Sequence, residues 1–196
     1  MECISEFYPE SDDTYLIMDS ISKDLTDFPF NNVNGLLTVE VGPGSGVVSK
    51  HFLEVSAQLK MSVFHIAVDV NVRAAEETRR ISDTECIVGD IFTCFRPAVG
   101  FDVIISNPPY VPSSPINGAR DIRASYAGGV LGREFIDRFL PTVSNRLLGR
   151  FYFLLEKRNN VEQVCLLARE QYGLKSELIL DRRIPGEYLY VYKFHH

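Results

Sequence analysis

The sequence predicts an α/β protein, a mostly parallel sheet with helices on both faces. Two observations carry that expectation. From residue 36 onward, short apolar runs alternate with amphipathic ones, the pattern of strands joined by crossover helices. Glycines 42, 44 and 46 separate the first apolar run from the amphipathic segment after it, as in sheets that bind ligands at the carboxyl ends of their strands.

The elements follow in order. Residues 13–28, DTYLIMDSISKDLTDF, put Ile17, Ile21, Leu25 and Phe28 on one helical face, with Ser11 and Asp12 as the capping signal. Strands are expected at Leu36–Val41, Val63–Val68, Glu85–Val88, Phe101–Ser106 and Arg150–Leu155. Helices are expected between them at Val47–Leu59, Val72–Ile81, Glu134–Leu147 and Asn160–Tyr172. Two last strands, Lys175–Asp181 and Glu187–Phe194, flank the Pro185–Gly186 turn. They lack a crossover helix and are therefore expected to be antiparallel. The long irregular segment is 107–133, rich in Pro, Ser, Gly and Arg, and a loop of that length in a compact domain is usually functional or disordered.

Composition narrows the class. The chain has 196 residues, 45% of them hydrophobic, which suits one domain with a real core: an N-terminal extension over 1–35 and a core over 36–194. His195 and His196 read as a tag remnant. No apolar run is long enough to span a bilayer and no signal pattern opens the chain, so the cytoplasm or nucleus is expected and no membrane partner. Cys3, Cys86, Cys94 and Cys165 form no CxxC pair and read as reduced, mostly buried thiols, with no metal site expected. Net charge is −6, and the small basic groups at Arg79–Arg80, Arg120 with Arg123 and Arg182–Arg183 read as solvated faces, which argues against a nucleic-acid groove.

Acids surround the glycine loop. In TVEVGPGSGVVS a dinucleotide fingerprint would place its third glycine at position 47, where Val47 stands, and Glu40 ends the strand. A carboxylate there suits an ammonium or sulfonium ligand better than a pyrophosphate, and S-adenosylmethionine carries both cations. Asp69 ends the next strand, roughly 20 residues beyond the loop, where a carboxylate can accept ribose hydroxyls. Asp90 follows the third strand, placed for an adenine amino group. Any one of these acids could be a helix cap, but three at successive strand ends converge on one crevice.

The fourth strand ends in ISNPPYVP, residues 105–112, where Pro108 and Pro109 remove two backbone donors and make a rigid corner. Asn107 Oδ1 and the Pro108 carbonyl can each accept one hydrogen from a substrate amino group, and Tyr110 can flank the planar group or present its ring face to a sulfonium. Catalysis by positioning is expected, without a strong general base.

These motifs together, VEVGPGSG, VDVN, GDIF and SNPPYVP, resemble the class I N-directed methyltransferases. They are most similar to the HemK-like group that methylates the GGQ glutamine of class 1 translation termination factors. AGGVLGREFIDRFLP, residues 127–141, resembles the loop-and-helix block of the eukaryotic and archaeal branch. The family signature Tyr-Glu-Pro-x-Glu-Asp reads YPESDD here, and Tyr126 stands where Trp is common. The resemblance implies a Rossmann-like sheet in the order 3-2-1-4-5-7-6 with the last strand antiparallel. It implies that S-adenosyl-L-methionine is the cofactor and S-adenosyl-L-homocysteine the product. It places Thr14, Glu40, Gly42, Gly44, Gly46, Asp69, Asp90, Ile91 and Asn107 at the cofactor, and Asn107, Pro108, Pro109 and Tyr110 at the substrate.

It also implies a small activator subunit, of zinc-ribbon type in many relatives. The expected dock is the edge strand 85–88, which carries no blunting proline or lysine, with Ile87, Phe92 and Phe95 exposed beside it. Competing readings are a lysine (histone) methyltransferase, disfavoured because no base stands beside Asn107 in sequence, and an adenine-N6 DNA methyltransferase, disfavoured by charge and by the lack of a target-recognition domain. A non-catalytic cofactor-binding scaffold is disfavoured by the intact Asn-Pro-Pro-Tyr corner.

Overall fold

Five successive strands of the sheet are parallel: β1 (Leu36–Val41), β2 (Val63–Asp69), β3 (Glu85–Val88), β4 (Phe101–Ser106) and β5 (Leu147–Glu156). The computed structural model describes residues 10–30, 35–114 and 125–196. A final hairpin, β6 (Lys175–Ile184) and β7 (Glu187–His195), inserts β7 antiparallel between β5 and β6. The order is β3-β2-β1-β4-β5-β7-β6, as expected.

Each central strand feeds two cores, which is why its sequence reads as a nearly continuous apolar run. Phe101 and Ile104 of β4 pack into one core, Val103 and Ile105 into the other. Helices α4 (Glu134–Ser144) and α5 (Val161–Tyr172) cover the first face, while α1 (Asp12–Asp27) and α2 (Val47–Gln58) cover the second. Helix α3 (Val72–Ser82) lies beside α2. Their closeness explains Gly46, where an added Cβ would stand 2.6 Å from the Thr78 backbone.

Several expected bounds shift, and one expected exposure is reversed. Helix α4 ends at Ser144 rather than Leu147, because Leu147 is taken into register opposite Phe101 and β5 starts there. Phe92 and Phe95 are not exposed beside the edge strand. Phe92 is buried, stacked on Phe101 with centroids 5.5 Å apart, and Phe95 meets the edge of the same ring at 5.1 Å. His195 is the last residue of β7, opposite Lys175, with Nε2 2.8 Å from Glu177.

The edge strand is also less open than its sequence implies. Gly89 N donates to the Asp69 carbonyl, so Gly89, Ile87 and Glu85 face β2, and the backbone of Cys86 and Val88 faces outward. Arg79 on α3 donates to the Cys86 carbonyl and so covers one outward acceptor. Among the described thiols Cys86 is buried and Cys94 exposed. Among the described residues no helix is long and apolar enough to cross a membrane.

Helix α1 is tied to the sheet by a buried ion cluster. Asp24 accepts from Arg150 Nη1 at 3.0 Å, Tyr152 Oη at 2.8 Å and Lys193 Nζ at 3.0 Å. The rings of Phe30 and Phe28 lie over the two cations, at 4.3 and 5.1 Å. Removing one member of such a cluster strands the others in a dry site. Asp24→Ala is therefore expected to cost about 3–5 kcal/mol, read as a lower urea midpoint at unchanged slope. A loss within about 0.5 kcal/mol, the size of an ordinary surface substitution, would show that water reaches the cluster.

Candidate active site

The Asn-Pro-Pro-Tyr corner and the start of α1 meet through one carboxylate. Asp13 is 2% exposed. Its Oδ1 accepts from Ser11 Oγ at 2.5 Å and from the Thr14 amide at 2.6 Å, while Oδ2 accepts from Asn107 Nδ2 and Tyr110 Oη, each at 3.1 Å. A carboxylate in the first turn of a helix is favoured by the helix dipole.

The contact settles the orientation of Asn107. Only an NH₂ can face a carboxylate, so the amide nitrogen points to Asp13 and Oδ1 points away from it. Oδ1 is buried without a partner among the described residues. A buried acceptor left open this way is costly unless a ligand supplies the donor.

The corner is braced from behind. Tyr110 is 5% exposed, and its hydroxyl lies between Asp13 and Glu187 Oε2, 3.2 Å away. Asn159 Nδ2 donates to the Tyr110 carbonyl at 2.8 Å and to the Leu131 carbonyl at 2.9 Å, joining the corner to the segment after 125. Val111 N and the Gly128 amide close a bridge to the same segment, with bonds to Tyr126 O and Val111 O. Gly132 packs so closely on the corner that a Cβ would strike the Tyr110 carbonyl.

The other expected residues gather at the neighbouring strand ends. Gly42 and Gly44 have φ of +75° and +56°, and an added Cβ at either meets nothing within 4 Å, so the loop borders open space. Asp69 Oδ2 accepts from Gly44 N at 3.2 Å and Oδ1 from Asn71 N at 2.8 Å, and the Val70 amide donates to the same carboxylate. Asp90 is half-exposed and holds Arg138 through Oδ2 at 2.5 Å. Ile91 packs into the core at φ +52°, an outlier for a β-branched residue, and such strain clusters at ligand sites. Thr14 is buried, with Oγ1 accepting from the Ser11 amide at 3.4 Å.

Glu40 is 1% exposed and accepts from Ser49 Oγ, whose oxygen lies 2.9 Å from His65 Nε2; His65 Nδ1 is 2.8 Å from Thr38 Oγ1. Burial pushes Glu40 up from 4.5 to about 7, with Asp69 adding repulsion, and burial pushes His65 down from 6.5 to about 3. Burial raises Asp69 as well.

Asp13, Ser49 and His65 escaped the sequence reading. Asp13 had a signal, since the stripe of Ile17, Ile21 and Leu25 runs one turn back onto it, placing a carboxylate on an apolar face. It also supplies what the sequence lacked, a carboxylate beside Asn107. Tyr8, Arg120 and Arg123 lie outside the described residues.

The two buried titrations oppose each other. Glu40 contributes stability that is complete below pH 4.5 and lost as pH rises through 7; His65 contributes stability complete above 6.5 and lost as pH falls toward 3. Between 4.5 and 6.5 their slopes largely cancel. Replacing Glu40 with Gln removes one slope. The wild-type unfolding free energy minus that of the variant should fall by about 3 kcal/mol from pH 4.5 to 7.5, measured by urea denaturation across that range. A flat difference would mean that Glu40 titrates as an ordinary exposed carboxyl.

The chain was compared with known proteins. No protein-family model matches it. It is 32% identical to methyltransferase HEMK2 of Homo sapiens over 97% of this chain and 90% of the relative. It is 26% identical to the eRF1 methyltransferase catalytic subunit mtq2 of Schizosaccharomyces pombe, over 97% of this chain and 89% of that one. Among solved structures, it superposes on the E. cuniculi Mtq2-Trm112 complex, responsible for methylation of the eRF1 translation termination factor, with a TM-score of 0.73 and 27% identity, covering 97% of this chain and 98% of the matched one.

Proposed function

The chain belongs to the family of methyltransferase HEMK2, and from that membership we propose that it methylates a translation termination factor. It carries the methyl group of S-adenosyl-L-methionine to the side-chain amide of the GGQ glutamine, releasing S-adenosyl-L-homocysteine. One observation carries the reading at the level of atoms: Asn107 Oδ1, buried and unpartnered among the described residues, beside a proline-walled corner.

Bound at the glycine loop, the cofactor supplies an electrophilic methyl group. The residues present suit it, with open space over Gly42 and Gly44 and a buried carboxylate, Glu40, for its ammonium. Asp69 would accept from a ribose hydroxyl, Asp90 Oδ1 would accept from the adenine amino group, and Ile91 would give an apolar contact near the ring. Thr14 would face the methionine end, and Gly46 lets α2 start directly after the loop.

On the substrate side, Asn107 Oδ1 and the Pro108 carbonyl each accept one hydrogen of the glutamine NH₂, and Pro109 with Tyr110 walls the planar amide. The nitrogen then has its weak lone pair held toward the methyl donor, and orientation of this kind is worth roughly 7–11 kcal/mol. Asp13 is a positioning residue here, because it holds Nδ2 and so aims Oδ1. It does not favour a lysine substrate, since its four lone-pair sites already face donors from Ser11, Thr14, Asn107 and Tyr110.

The N-terminal extension and the core work as one unit, because α1 brings Asp13 and Thr14 to the site. The expected compartment is the cytoplasm, where termination factors act, with the nucleus as a second location. An activator subunit like that of the Mtq2-Trm112 complex adds a strand to the outward backbone of Cys86 and Val88, after displacing Arg79 from the Cys86 carbonyl.

Labelled methyl transfer tests the substrate: with the activator present, a termination factor carrying GGQ should be labelled and its GGA variant should not. Equal labelling of both overturns the glutamine assignment. Asn107→Ala should drop turnover by more than about a thousandfold, because Oδ1 is an acceptor needed in the transition state, while the fold is kept. Asp13→Asn should lower kcat roughly a hundredfold through misaimed Oδ1; a normal kcat in either variant would remove that residue from the mechanism.

The dock has its own test. Val88→Pro deletes an outward donor without touching a β2–β3 bond, and proline is tolerated on edges. Co-purification with the activator should be lost while S-adenosylhomocysteine still binds. Complex formation by the variant at wild-type yield would move the interface elsewhere.

A further inference from the structure

We propose that His65 is a positioning residue for the ligand-binding carboxylate. Thr38, His65, Ser49 and Glu40 form a hydrogen-bond relay with two self-consistent directions, and an ammonium at Glu40 selects between them. The inference rests on the reading above that the ammonium of the bound ligand lies at Glu40.

In the first direction Glu40 is ionised and accepts from the Ser49 hydroxyl. Ser49 Oγ accepts from His65 Nε2–H, and His65 Nδ1 accepts from the Thr38 hydroxyl. In the second, Glu40 is a carboxylic acid and every bond reverses. Its proton is given to Ser49 Oγ, Ser49 donates to Nε2, Nδ1–H donates to Thr38 Oγ1, and Thr38 donates to the Phe64 carbonyl at 3.5 Å. Each polar atom of the chain has a partner in both directions, so neither strands a buried group. The long last bond makes the second direction the looser one.

The two differ by one proton and by the tautomer of His65. Passing from the second to the first breaks the O–H bond of the Glu40 carboxyl and sends that proton to bulk water. The imidazole loses its Nδ1 proton and gains one at Nε2 by exchange with water, with no net change. The ring itself stays neutral, because burial holds its pKa near 3.

The groups that face Glu40 explain why a cation decides the direction. Ser49 comes from α2, His65 and Asp69 from β2, and Cys86 from β3. The Cys86 thiol is pushed up to about 12 by burial and stays neutral, and His65 is neutral, so among the described residues the remaining formal charge near Glu40 is the repelling one of Asp69. Without a cation, burial and Asp69 favour the carboxylic acid. An ammonium reverses that preference, and Ser49, supported by His65, then donates into the new carboxylate.

Nitrogen-15 NMR of the histidine-labelled full chain reads the tautomer directly, with the His65 signal assigned by its loss in His65→Phe. In the free chain Nδ1–H should dominate at pH 6 and Nε2–H at pH 8. Saturating S-adenosylhomocysteine, which carries the ammonium, should restore Nε2–H at pH 6. Ser49→Ala, which cuts the relay, should leave the tautomer insensitive to pH. Calorimetry in buffers of different ionisation enthalpy should find about half a proton released per S-adenosylhomocysteine at pH 7 and about a tenth at pH 8. A His65 tautomer that is the same at pH 6 and 8 in the free chain overturns the relay. Failure of S-adenosylhomocysteine to bind would instead overturn the ligand reading, and the free-chain titration still decides the relay.

Discussion

One carboxylate joins the parts of this molecule that chemistry needs together. Asp13 lies in the first turn of α1, and Asn107 follows β4 ninety-four positions later, yet the two side chains lie 3.1 Å apart. The helix dipole and the donors of Ser11 and Thr14 hold one oxygen of the carboxylate. The other oxygen faces the corner and dictates which way the Asn107 amide turns. With that orientation set, an acceptor is left buried and open, and the surrounding prolines keep the backbone from closing over it.

Helix α1 holds its place through both ends. At the far end Asp24 collects Arg150, Tyr152 and Lys193, and between the two acids Leu16, Ile17 and Ile21 sit against the second core. A helix held only by apolar contacts could slide or tilt by a fraction of a turn at little cost. Two buried carboxylates, each satisfied by donors from the sheet and its loops, make such a shift expensive, since any slip strands several polar groups at once. The extension thus acts as a clamp for the site.

The cofactor side shows a different use of burial. Glu40 and Asp69 are both desolvated and close enough to repel, and among the described residues no positive side chain offsets them. That arrangement is poor for the stability of the free protein and good for a cationic ligand, which supplies the missing charge. Under the proposed function that ligand is the methyl donor, which carries an ammonium and a sulfonium.

Much of the architecture was legible in the chain because its signals are local. Alternating apolar runs, glycine and proline punctuation and a capping Ser11 located nearly every strand and helix, to within a few residues. The loop after β1 and the corner after β4 were readable for the same reason, since a few consecutive residues carry them. Pairings over long separations were not readable. Nothing near Asn107 in sequence announces Asp13; nothing near Glu40 announces His65, although each partner sits on a face whose apolar periodicity it interrupts. Phe92 and Phe95 looked like an exposed flank because they follow the edge strand, and only the turn after β3 directs them onto Phe101. The sequence alone determined which elements form and which residues end the strands, because backbone sterics and side-chain periodicity act over a few residues. Tertiary structure decided which polar atoms meet, because hydrogen bonds and desolvation depend on distances that only the packed sheet sets.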